Sequence, residues 1–221
     1  MLTIDDSIIG YILNHTTPED KVLQELDRET HVKVLNPGMI SGPLQGKILE
    51  MISRMIRPET ILEIGTFTGY SAICLAKGLK KGGKVHTIDR NDELVEFSKK
   101  YFRKAGLENT IIQYTGEAKD IIPLLDFAFD LVYIDVDKEE YLDIYNLLFD
   151  KVIYGGYILA DNVLWGGKVT GICKPGDKDT RGIIRFNNFI KDDERVENAI
   201  LPVRDGLMII RKMRNRQNKG R

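Results

Sequence analysis

The sequence predicts an α/β fold, a mostly parallel sheet with helices on both faces, and three observations predict it. First, from Ile61 onward short apolar runs alternate with amphipathic segments: Ile61 to Ile64, Val85 to Ile88, Ile111 to Tyr114, Leu131 to Ile134 and Tyr157 to Ala160. Apolar runs of this kind are the mark of parallel strands covered on two sides. Second, Ile61-Leu62-Glu63-Ile64-Gly65-Thr66-Phe67-Thr68-Gly69-Tyr70-Ser71 passes from a strand through two glycines into a helix. Third, an acid stands at or just after each run: Glu63, Asp89, Glu117, Asp135 and the pair Asp161-Asn162. Each taken alone is a helix cap or a solvated turn. Ligands of an open parallel sheet collect at the carboxyl ends of its strands, so five such ends in succession point to a site.

The remaining elements follow from local patterns. Thr17-Pro18-Glu19-Asp20 reads as a helix start, with Thr17 as cap and Pro18 at the first helical position. A loop over Asn36-Pro37-Gly38-Met39-Ile40-Ser41 precedes a helix from Gly42 to Met55, where Leu44, Ile48, Met51, Ile52 and Met55 recur at helical spacing before Pro58. The helix after Asp92 turns Leu94, Val95, Phe97, Tyr101, Phe102 and Ala105 inward and ends at Gly106. Asp205-Gly206 leads into a last strand, Gly206 to Ile210.

At 221 residues, 43% apolar and 29% charged, the chain has the makeup of one ordinary globular domain. Its division is expected to be a helical part, residues 1–57, and a sheet core, residues 58–211, followed by a basic, disordered tail at 212–221. Arg211, Lys212, Arg214, Arg216, Lys219 and Arg221 crowd that end, and without them the net charge falls from −1 to −7. Such an end is either a solvated, frayed terminus or a contact for RNA or another acidic partner. Cys74 and Cys173 have neither metal-type nor disulfide-type spacing, which fits a reducing cytoplasm. Met1 to Tyr11 lacks the pattern of a secretion signal, and no run reaches membrane-spanning length.

The glycine turn is of a nucleotide-cofactor type. Glycine lets the backbone approach a ligand, and the helix that follows offers unpaired N–H groups. Glu63 at the strand tip would repel a pyrophosphate, and the third glycine of a dinucleotide motif is missing. S-adenosylmethionine fits better, because it carries a sulfonium and an ammonium and no phosphate. Asp89 stands 24 positions beyond Gly65, where a second-strand acid accepts hydrogen bonds from a ribose; it can also cap the next helix, unless Asn91 or Asp92 does so. Gly116-Glu117-Ala118 would lie beside the adenine. Ser71 would bind the methionyl carboxylate or cap its helix.

Asp135, Asp161 and Asn162 make a hard oxygen set suited to magnesium, manganese or calcium rather than zinc. His15 and His31 precede the sheet and His86 lies inside a strand. Lys138, in the turn after Asp135, is either a general base, for which it must be neutral, or a surface lysine paired with Asp137, Glu139 or Glu140.

Together, Ile61 to Ser71, Val132-Tyr133-Ile134-Asp135-Val136-Asp137-Lys138-Glu139-Glu140-Tyr141 and Asp161-Asn162-Val163-Leu164-Trp165-Gly166-Gly167 resemble the cation-dependent O-methyltransferases, which include the caffeoyl-CoA and catechol enzymes. The likeness runs from Met39-Ile40-Ser41-Gly42 and Gln45-Gly46 to Leu201-Pro202-Val203-Arg204-Asp205-Gly206 and leaves out the basic tail. It implies a Rossmann-like, doubly wound, seven-stranded fold with an N-terminal helical extension. It implies that Met39, Ser41, Glu63, Gly65, Ser71, Asp89, Ala118 and Asp135 contact S-adenosylmethionine. Asp135, Asp161 and Asn162 would hold a divalent cation, magnesium first, and Lys138 would be catalytic. Asp89 departs from the glutamate of many relatives, and the loop Gly171 to Arg181 offers no matched substrate residue. Trp165 would wall the acceptor pocket, or serve as core or interface.

The implied reaction moves the methyl group of S-adenosylmethionine to a hydroxyl of a vicinal dihydroxy aromatic. A cytoplasmic homodimer is expected, without a membrane partner. Two other readings stand beside it: O-methylation of a hydroxylated nucleoside in tRNA, which the basic end favours, and a binding or assembly protein that keeps the fold without activity. Intact Asp135, Lys138, Asp161 and Asn162 oppose the latter.

Overall fold

The structure is a computed structural model that describes residues 5–214. They fall into two compact units, residues 5–121 and residues 122–214.

The first unit opens with helices α1 (Asp6–Asn14), α2 (Lys21–Lys33) and α3 (Gly42–Ile56). Thr17 is not the cap of α2. The helix begins after Asp20, whose carboxylate accepts the Leu23 N–H at 3.0 Å, so Pro18 lies outside it. Helix α3 is where expected, but its buried face differs from the apolar stripe that predicts it. Gln45, Leu49, Ile52 and Ser53 are buried, whereas Met51 and Met55 are 51% and 72% exposed. The polar side of this helix is held inside the unit by specific bonds, such as Ser53 Oγ to the Leu75 carbonyl at 2.6 Å. Three parallel strands follow with their helices: β1 (Thr60–Ile64), α4 (Tyr70–Ala76), β2 (Lys84–Asp89), α5 (Val95–Lys104), β3 (Ile111–Thr115) and the single turn α6 (Ala118–Ile121). Asn91, rather than Asp92, caps the 3-10 turn before α5, accepting from the Glu93 N–H at 3.0 Å. Ile61, Leu62, Val85 and Ile88 are essentially inaccessible, as strands covered on both faces must be.

The second unit holds β4 (Phe129–Ile134), α7 (Tyr141–Leu148), β5 (Val152–Ala160), α8 (Lys178–Asp192), β6 (Val196–Leu201) and β7 (Leu207–Lys212). Strands β4 and β5 are parallel; β7 runs antiparallel to β5 and to β6. The strand order is β3-β2-β1-β4-β5-β7-β6, the mostly parallel seven-stranded α/β arrangement that the sequence predicts. Strand β6 has no apolar run to announce it, because its side chains lie mostly exposed. Arg211 and Lys212 belong to β7 rather than to a tail. Lys212 is buried, and its ammonium donates to the Phe149 and Val152 carbonyls at 2.7 and 2.8 Å. The rest of the basic end, from residue 215, lies outside the described residues. Among the described residues no helix is long and apolar enough to cross a membrane.

Candidate functional site

In the first unit, three turns meet at the carboxyl ends of β1, β2 and β3. The Gly65 N–H donates to the Ile88 carbonyl at 2.9 Å, and the Gly116 N–H to the Asp89 carbonyl at 2.9 Å. Phe67, with φ of 47°, is held in the left-handed region by its own N–H, which donates to Asp89 Oδ2 at 2.7 Å. Asp89 Oδ1 accepts from the Asn91 N–H at 2.9 Å, so this carboxylate fastens the glycine turn to the end of β2. Gly69 has to be glycine: its φ is +88°, and a Cβ there would sit 2.5 Å from the Phe102 ring. Glu63 is fully buried, with Oε2 accepting from Thr87 Oγ1 at 2.5 Å and that hydroxyl 2.6 Å from Thr66 Oγ1. Its carboxyl group thus lies buried against Thr87 rather than on an open wall. Ser71 is buried in the first turn of α4, and Ala118 opens α6, half-buried. Ser41 is buried just before α3, while Met39 is 61% exposed in the 3-10 turn Pro37–Met39.

In the second unit, the residues after β4 and β5 form one hydrogen-bonded cluster. Lys138 is buried, and its Nζ donates to Asp135 Oδ1 at 3.1 Å, to Tyr141 Oη at 2.9 Å and to Asn162 Oδ1 at 2.8 Å. These three bonds use all the donors of an ammonium. The Tyr141 and Trp165 rings lie 4.9 and 5.6 Å from the same nitrogen, so its charge also faces two aromatic rings. Tyr141 is fully buried. Burial, then the charges of Asp135 and Asp161, hold its phenol well above the usual range, so it stays protonated and donates to the Asp161 carbonyl at 2.9 Å. Asn162 takes a φ of 54°, which turns the chain sharply at the end of β5. Asp161 is nearly inaccessible: Oδ2 accepts from Tyr133 Oη at 2.8 Å and Oδ1 from the Asn162 N–H at 2.7 Å. Helix α8 packs beneath, where Gly182 permits a contact that no side chain would; a Cβ there would lie 2.4 Å from the Lys138 carbonyl oxygen.

A family model described as O-methyltransferase matches residues 13–213. The chain belongs to the O-methyltransferase family. This O-methyltransferase is 31% identical over 228 residues to the caffeoyl-CoA O-methyltransferase of Medicago sativa, covering 95% of this chain and 90% of that one. It is 32% identical over 227 residues to the caffeoyl-CoA O-methyltransferase of Petroselinum crispum, covering 94% and 91%. Among solved structures, the O-methyltransferase TomG of Streptomyces achromogenes, involved in tomaymycin synthesis and crystallised with SAM, is similar at a TM-score of 0.87 and 28% identity, with 94% of this chain and 96% of that one covered. The O-methyltransferase of Bacillus cereus, in complex with SAH, gives 0.85 and 28%, with 93% and 97% covered.

Of the site residues predicted for this O-methyltransferase, the structure joins Asp135, Lys138 and Asn162 directly, with Asp161 next in the chain, and in the other unit ties Asp89 to the glycine turn through the Phe67 N–H. Among the described residues no three His, Cys, Asp or Glu side chains form a metal set. The predicted set has two carboxylates and an amide oxygen. Two of its oxygens already converge on one positive charge, the Lys138 ammonium, and hard oxygen donors arranged around a cation fit magnesium or manganese. Sequence reading gave no role to Tyr133, Gly182 or Asn187. Tyr133 sits inside an apolar run, and the other two on an ordinary amphipathic helix. Only an unexpected hydroxyl in a buried strand could have drawn notice.

Proposed function

We propose that this chain is a divalent-cation-dependent O-methyltransferase that moves the methyl group of S-adenosylmethionine to one hydroxyl of a vicinal dihydroxy aromatic. One observation carries this reading: Asp135 Oδ1 and Asn162 Oδ1 share a single buried cation in the turns after β4 and β5, with Asp161 beside them. Family membership and the caffeoyl-CoA relatives support it. The cosubstrate is assigned to the glycine turn of the first unit, with Asp89 for the ribose, Ser71 for the methionyl carboxylate and Ala118 beside the adenine. The resemblance also implies Met39, Ser41 and Asp135 as contacts of the cosubstrate.

Asp135, Asp161 and Asn162 would hold the cation. When bound, it supplies Lewis acidity that lowers the pKa of an acceptor hydroxyl and orients it. Lys138 contributes a second, fixed positive charge. With its three N–H donors engaged it works as an ammonium that stabilises a developing phenolate rather than as a neutral base. Tyr141 keeps it there. Transfer forms the O–C bond as the S–C bond breaks; the sulfonium becomes a thioether and the hydroxyl proton leaves to solvent. Trp165 offers an aromatic wall for the acceptor. The homodimer is assigned to the exposed methionine stripe of α3, Met51 and Met55.

The test compares caffeic acid with its monohydroxy analogue, p-coumaric acid, as acceptors of labelled methyl with magnesium present. Transfer to the diol alone is expected. Equal transfer to both would refute the two-hydroxyl requirement. Absence of transfer to either, with cofactor binding shown separately, would redirect the acceptor to a hydroxylated nucleoside in tRNA.

A further inference from the structure

The turn Asp161-Asn162-Val163-Leu164 is anchored on several sides by residues that carry no assigned chemistry. From β4, Tyr133 is fully buried and its phenol donates to Asp161 Oδ2 at 2.8 Å. From α8, Asn187 Nδ2 donates to the Val163 carbonyl at 2.8 Å, while its Oδ1 is buried without a partner among the described residues. That amide therefore serves the turn through its donor alone. The β6–β7 connection holds the other side, with the Val163 N–H on the Gly206 carbonyl at 3.1 Å and the Leu164 N–H on the Asp205 carbonyl at 2.8 Å.

Two features make this more than ordinary packing. Asn162 sits at φ of 54°, a conformation that a non-glycine residue keeps only where its surroundings impose it. And a hydroxyl buried in the middle of an apolar strand costs free energy unless it is bonded. Here it donates to a carboxylate of the cluster. A charge-assisted bond of this kind fixes the plane and rotamer of the acceptor group. Asn187 fixes the backbone one residue beyond Asn162, so the two contacts act on the carboxylate and the amide from opposite directions along the chain.

We infer that Tyr133 and Asn187 are positioning residues for the Asp161–Asn162 pair. Tyr133 sets the orientation of the Asp161 carboxylate, and Asn187 sets the path of the chain that aims the Asn162 amide oxygen. Neither is among the residues assigned to the acceptor or the cosubstrate. The inference rests on the cation reading above, and partners of ligating groups typically change metal affinity by about 10–100-fold when removed.

The test measures Mn2+ binding by electron paramagnetic resonance of the free ion, and S-adenosylhomocysteine binding by calorimetry, in the wild-type protein, Tyr133→Phe and Asn187→Ala. Tyr133→Phe removes one oxygen and keeps the ring, so packing is preserved. Mn2+ affinity is expected to fall about tenfold or more in each variant, with S-adenosylhomocysteine affinity within about twofold of wild type. Wild-type Mn2+ affinity in both variants would overturn the inference while leaving the cation reading intact. No Mn2+ binding to the wild-type protein would overturn that reading and the inference with it. Parallel loss of both ligands would mark general damage and also overturn it. If Tyr133→Phe fails to fold, Asn187→Ala decides alone.

Discussion

Lys138 carries more contacts of consequence than any other side chain of the cluster. Three acceptors and two ring faces leave its ammonium a single well-defined place. Lys138→Ala removes that charge without touching the glycine turn. S-adenosylhomocysteine should bind it as it binds wild type, while turnover falls about 100-fold or more; unchanged turnover in a radiolabel assay would take Lys138 out of the reaction. Asp135 and the pair Asp161-Asn162 stood out in the sequence because they follow directly on apolar runs, where a polar residue has no packing reason to be; Lys138 reads locally as a surface lysine, and its catalytic role came from the resemblance. Tyr133 and Asn187 were not legible, because a tyrosine in a strand and an asparagine on a helix look like filler until their partners are known. Glu63 was legible as an acid at a strand tip, but its burial beneath Thr87 was not, since hydroxyl partners from a neighbouring strand leave no local trace.

At the scale of elements, glycines and ion clusters set how helices meet. Gly69→Ala would force a Cβ against Phe102 at a φ of +88°, and should cost about 1–3 kcal/mol in urea denaturation; a neutral result would mean that the turn before α4 can relax. Helices α2 and α5 are joined through Glu29, which lies with Lys100, Lys33 and Tyr101 around it; these partners hold its carboxyl down at about 2 against an ordinary 4.5. A depressed carboxyl contributes stability that is present above the unfolded value and is lost as pH falls toward the folded one. Glu29→Gln should therefore lower the melting temperature near neutrality, and the gap from wild type should close between about pH 5 and pH 2. A gap that persists at pH 2 would contradict the linkage. Element positions were legible wherever the apolar period was strong. The phase of α3 was misleading, because its methionines face outward and Gln45 and Ser53 face in. The cap of α2 was misplaced, because Asp20 competes with Thr17 and a carboxylate that reaches the Leu23 N–H wins.

For the whole molecule, the five runs from Ile61 to Ala160 were enough to foretell a mostly parallel sheet, since parallel strands need apolar residues on both sides. Strand β6, exposed along most of its length, gave no such sign, and the count of seven strands came from the resemblance alone. If Met51 and Met55 meet a second copy, sedimentation should report twice the monomer mass, and Met51→Glu should return it to one. A monomeric wild type would refute the dimer. The proposed cation dependence would join the oxygen cluster to the chemistry, and it is tested most directly by methyl transfer from labelled S-adenosylmethionine to caffeic acid, with magnesium and with chelator. Transfer that chelator abolishes and magnesium restores is the expected result. Equal transfer in both would contradict the role given to Asp135, Asp161 and Asn162.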